Sequence, residues 1–163
     1  MIDVALTYIK DILNENFKNE FSISENKVVL SNIIKADGAL AQNVDGKIVF
    51  FLVNLEEESV LKNSINRSIN HENSFLQKPP ALYLNLHLLF CSNFDGNVYV
   101  EGLQYLSALI RFFQVNKKIE INSAGNSNQK INRLSFELTK LDYDQISHLW
   151  SAIGSKLMPS VLY

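Results

Sequence analysis

Cysteine occurs once in these 163 residues, at Cys91, so no internal disulfide framework holds the fold. Neither sign of charge dominates. Fifteen Lys and Arg against seventeen Asp and Glu leave a net charge of −2, which offers no broad attraction to nucleic acid or an anionic membrane. Nothing approaches the ~18 uninterrupted apolar residues that a membrane-spanning helix needs. Met1-Ile2-Asp3 lacks a basic cluster, and the first apolar positions are spaced as an amphipathic helix. A signal peptide is therefore not expected, and the chain reads as cytoplasmic at synthesis. Chemical motifs are missing too: there is no G-x-G-x-x-G, Walker A loop, G-x-S-x-G elbow or H-E-x-x-H. His71, His87 and His148 are too scattered for a local metal site, and Ser31 and Ser107 have no sequence-level base. No catalytic residue, cofactor or metal is expected.

What is present is scaffold. Apolar residues make up 47% of the chain, enough for the core of one globular domain spanning residues 1–163. Leu82, Leu84, Leu86, Leu88 and Phe90 alternate and so share one face of a strand, with Cys91 turned the other way as a buried structural thiol. Tyr99, Leu103, Leu106, Ile110 and Phe113 recur at three- and four-residue steps and predict a helical stripe that covers that strand. Ile2, Leu6, Ile9, Leu13 and Phe17 predict an earlier helix, weakened toward its end by Asn14, Asn16 and Asn19. Val28–Ile34 is rich in β-branched residues and predicts a strand. Asp45-Gly46 signals a tight hairpin between Leu40–Val44 and Lys47–Leu55. The run Ile48–Val53 is continuous enough to be buried on both faces, in the middle of a sheet or under a neighbouring subunit.

Leu134, Phe136 and Leu138 alternate with polar residues as a half-exposed strand, and Asp142 with Gln145 forms a capping box for a last helix carrying Ile146, Leu149, Trp150 and Ile153. Gly154 suits its C-terminal cap. Pro159 disfavours helix and interior strand in the tail that follows. The order predicts an α+β domain, a mixed or antiparallel sheet flanked by helices. Two polar stretches, Glu56–Lys78 and Asn122–Gln129, interrupt it. Glu56-Glu57-Glu58 reads as a solvated acidic run rather than an acid/base pair, and Lys117, Lys118, Lys130 and Arg133 as a basic rim. Gly102 would permit a close backbone approach.

Phe50, Phe51, Tyr83, Leu89, Tyr105, Leu109, Phe112 and Trp150 lie beside or opposite the expected core stripes. Either they form a second core face, or some remain as an exposed apolar patch of the kind that marks an interface. Tyr83, Tyr105, Leu109 and Phe112 are the residues nominated for subunit contact.

The segments Pro79–Leu86, Leu89-Phe90, Tyr99–Leu103, Leu106-Ser107 and Phe112–Gln114 resemble one family: the tail-terminator, or cap, proteins of phage-tail-like contractile injection systems of the antifeeding-prophage type. Val28–Ile33, Val53–Glu58, Leu134–Leu138, Leu149-Trp150, Gly154 and Pro159–Tyr163 extend the likeness over nearly the whole chain in order. Longer relatives carry a C-terminal domain that is not expected here. The resemblance implies a tail-terminator-like fold assembled as a ring, a homohexamer docked on the inner tube protein and the contractile sheath protein. It also implies incorporation into the particle and tips the apolar surplus toward subunit contact. Candidates for contact with tube or sheath are Glu56, Glu57, Arg67, Lys117, Lys118, Pro159, Val161 and Tyr163. An assembly adaptor or chaperone of the same machine, or a small hydrolase sharing the core pattern, are the rival readings.

Overall fold

A computed structural model describes residues 2–58, 83–121 and 133–163. Helix α1 (Ile2–Phe21) buries Leu6, Ile9, Leu13 and Phe17, the stripe expected from their spacing. The asparagines do not end it early. Asn14 is itself buried, and its side chain bonds the backbone of the strand that follows. Strand β1 (Val28–Leu30) runs parallel to β2 (Lys47–Glu57), which pairs antiparallel with β3 (Leu84–Asn93). A short 3₁₀ turn, Gly96–Val98, leads into α2 (Tyr99–Val115). Strands β4 (Lys118–Glu120) and β5 (Arg133–Ser135) form a small antiparallel pair. Helix α3 (Tyr143–Ile153) precedes β6 (Ser160–Leu162), which joins the outer side of β3. The main sheet therefore has the mixed order β1-β2-β3-β6, in a single α+β domain.

Alternation splits the sheet into two cores. Ile48, Phe50, Leu88 and Phe90 face α1 and α2; Val49, Phe51, Leu89 and Cys91 face Ile33, Val44 and Trp150 of α3. The helical side is aromatic. Phe50 stacks on its cross-strand partner Phe90 with centroids 4.8 Å apart, and Phe113 lies 4.4 Å from Phe136 and 4.6 Å from Tyr163. Burying each such side chain contributes about 1.5–3 kcal/mol before entropy is counted. The expectation that Ile48–Val53 lies mid-sheet is met, since Ile48, Val49 and Phe50 are fully buried.

Three expectations need correction. The hairpin into β2 does not form: Gly46 and Asn43 have positive φ, Asp45 does not, and 40–44 makes only the bridge Ile34↔Leu40. With β1 on one side of β2 and β3 on the other, no edge remains for that segment. Helix α2 is also rotated from the predicted phase. Gly102, Tyr105, Leu106, Leu109 and Phe113 face inward, while Tyr99 is 46% exposed. The cause is a close approach at Gly102, where a Cβ would lie 2.5 Å from Ser92 Oγ and 2.8 Å from the Phe94 ring. Tyr105 then fits against Phe17, Phe21 and Phe94. Finally, the chain after Pro159 is no free tail but the sheet strand β6; the proline precedes it and leaves its ladder intact.

The capping box is as expected. Gln145 N–H donates to Asp142 Oδ1 at 2.8 Å, Asp142 N–H donates to Gln145 Oε1 at 2.9 Å, and Gly154 closes α3 at φ 76°.

Candidate interaction surfaces

Strands β2 and β3 outrun the core. Their register is regular to Leu52↔Leu88, then slips so that Asn54 opposes His87 and Val53 forms a bulge. Beyond it the two strands form a ribbon whose Asn54, Leu55, Glu56 and Glu57 are exposed. The slip puts Leu55 on the side of Leu86 and sets Glu56 beside His87, with Nε2 to Oε2 at 3.6 Å. Asn54 donates to Glu56 at 2.8 Å, and Asn85 donates to Glu58 at 3.0 Å. His87 Nε2 is buried without a hydrogen-bond partner.

Among the described residues, no strand pairs with the outer backbone edge of the ribbon. Leu88 exchanges both backbone bonds with Tyr163, so the even residues of β3 turn their amides to the outer side. Past Tyr163 no described strand continues that ladder along Leu86 and Leu84.

The nominated residues divide sharply. Tyr83 is 47% exposed at the tip of the ribbon, and Phe112 is half-buried. Tyr105 and Leu109 are core residues, contrary to their nomination for subunit contact, because the rotation of α2 aims them at α1 and the sheet. Glu56 and Glu57 are exposed as expected. So are Lys117 and Lys118, which follow the C-terminus of α2, where cations suit the helix dipole. Pro159 and Val161 are half-buried and Tyr163 is buried against Phe90 and Phe113; these three serve the fold first. Arg67, His71, Leu82 and Lys130 lie outside the described residues, as do Asn122–Gln129 and most of Glu56–Lys78.

Exposed apolar residues in two regions escaped the periodicity. Val98, Tyr99 and Val100 stand exposed where α2 begins, beside a shallow groove lined by Phe21, Leu103, Ser107 and the Glu20–Arg111 ion pair. On the α3 side, Tyr143 is 92% exposed and Leu157 67%. Tyr143 follows directly on the cap Asp142. A strong helix start in the sequence marks that position, but not which way its side chain turns.

The chemistry on display is structural. Cys91 donates its thiol to the Val49 carbonyl at 3.1 Å, and burial pushes its pKa up to about 12, the opposite of an activated thiolate. Lys27 lies over the rings of Phe94 and Tyr105 and pairs with Glu25 at 2.7 Å. Burial pulls its pKa down, but the acids Glu25 and Glu101 outweigh this and hold it above the ordinary value. Among the described residues no cluster of His, Cys, Asp or Glu could hold a metal, and no helix is long and apolar enough to cross a membrane.

No curated protein matches the chain. The family model of the Pvc16 N-terminal domain matches residues 5–163, which takes in most of α1, both cores, the ribbon and the closing strand. The chain belongs to the Pvc16 N-terminal-domain family, and with it to the components of phage-tail-like contractile injection systems.

Proposed function

We propose that this protein is the terminator of such a particle: a closed ring, six copies by the resemblance, that docks on the distal end of the inner tube and sheath and stops their polymerisation. The reading is non-enzymatic and needs no cofactor, nucleic acid or membrane. One observation supports it beyond family membership: apolar surface left over on opposite sides of the sheet. Val98–Val100 lie on the α2 side, and Tyr143 and Leu157, at the two ends of α3, lie on the other. A patch that meets a different patch on the next copy builds a head-to-tail contact, and closure of the ring ends its growth. These residues replace Tyr105 and Leu109 as subunit contacts.

The ribbon edge at Leu84 and Leu86 is the contact offered to tube or sheath. An added strand gains affinity from backbone bonds, and the exposed Glu56 and Glu57 favour a basic partner. Deleting the gene and viewing particles by electron microscopy tests the capping role. Tubes of irregular length with open ends are expected; uniform, closed tubes would sink the reading. A fixed ring count on finished particles separates a terminator from an adaptor that leaves before completion.

A further inference from the structure

The two outer edges of the main sheet are not left bare. At the two ends of β1, Lys27 accepts from Ile48 and Ser31 donates to Phe50, so the odd residues face β2 and Val28 faces outward. An outward-facing residue of a short edge strand ordinarily meets water, or offers a template to another strand. Here it meets Asn14. The buried amide of α1 donates from Nδ2 to the Val28 carbonyl at 2.9 Å and accepts at Oδ1 from the Val28 N–H at 2.9 Å. One side chain thus makes both bonds that a residue of an added strand would make. The second Nδ2 hydrogen goes to the Lys10 carbonyl at 3.0 Å, which fixes the amide against its own helix. On the far side of the sheet, Thr139 N–H bonds the outward carbonyl of Leu162.

We propose that Asn14 is an edge guard: it occupies the strand-pairing groups of Val28 and so prevents a second copy of this chain from adding a strand to β1. Strand addition to β1 is thereby blocked at Val28. A mid-helix asparagine has poor helix propensity, and at this buried position its amide is fully used, twice by the strand it closes and once by its own helix. The inference concerns self-association of the free protein and does not depend on the capping role.

Sedimentation velocity of the full chain over a range of concentrations tests it. Asn14→Leu, close in volume but without polar atoms, should keep the native circular dichroism and shift to larger, concentration-dependent species. Adding Val28→Pro removes the bared N–H without touching the ladder to β2, and should return the distribution to that of the unaltered protein. A folded Asn14→Leu variant that sediments like the original overturns the proposal. So does a double variant that associates as strongly as the single one. Should Asn14→Leu fail to fold, hydrogen exchange on the unaltered protein decides: Val28 should exchange far more slowly than outward-facing Leu30, and equal rates overturn the guard.

Discussion

The same two strands behave differently on either side of one bulge. Up to Leu52 and Leu88, β2 and β3 are sealed on both faces, with β1 along one edge and β6 along the other. Beyond Val53 they carry Asn54, Glu56, Glu57 and Asn85 into solvent, and the outer edge of β3 pairs with nothing described. In the body, side chains interdigitate and both central strands have neighbours on each side, so these stretches serve stability. In the ribbon few side chains are buried, and the backbone itself is the free resource. The contrast separates the part that must fold from the part available for recognition.

The largest effect should come from the body. Phe90→Ala empties a fully buried site between Phe50 and Phe113 and should lower stability by about 3–5 kcal/mol, read as a fall in the urea midpoint. A loss below about 1 kcal/mol would mean that the aromatic core is loosely packed. Gly102→Ala tests the rotation of α2. Its new methyl would strike Ser92 and Phe94, at a cost of about 1–3 kcal/mol that outweighs the ~1 kcal/mol gain in helix propensity. A stabilised variant would show that the helix is free to shift.

Alkali probes the same body through its buried thiol. Cys91 has a folded pKa of about 12 against an ordinary 9.0, so the folded state favours the protonated form. That contribution is intact below pH 9 and is lost as pH rises toward 12, at about 1.4 kcal/mol per unit. The unfolded chain releases the proton first. Tyr105 and Tyr163, both raised by burial, act in the same direction at higher pH. Cys91→Ala should therefore flatten the fall in stability at its alkaline onset, and an unchanged slope would count against a buried thiol.

The smallest effect on stability belongs to the ribbon. Tyr83→Ser with Glu56→Gln should leave stability within ~0.5 kcal/mol while reducing incorporation into particles, measured by quantitative blotting of purified assemblies. Full incorporation would place the recognition surface elsewhere.

Local pattern made much of this legible. The alternation of Leu84 to Phe90 and the stripe of α1 required only a strand period and a helix period. Asp142 and Gln145 announced α3 because a capping box is a contact between near neighbours in sequence. The exposed acids of the ribbon were visible as a charge run. The exposed apolar residues were not. Helix α2 is apolar around much of its circumference, so periodicity fits more than one phase, and Tyr105 and Leu109 were assigned to the wrong side. Asp45-Gly46 gave a true turn signal with no strand to serve, since its expected partner found β1 already in place.

The chain's own order of residues determined that α1, α3, β2 and β3 form, that the Ile48–Phe51 part of β2 is buried on both faces, and that Cys91 is a structural thiol. Those properties follow from side-chain alternation and local hydrogen bonding. Tertiary structure alone decided the rotation of α2, the recruitment of the tail as β6, and the closing of β1 by Asn14. Each depends on a contact between residues distant in sequence: Gly102 with Ser92 is the nearest of them, and Leu88 with Tyr163 the farthest. Such contacts are set by which neighbour reaches an open edge or a gap, and that competition leaves no periodic trace in sequence.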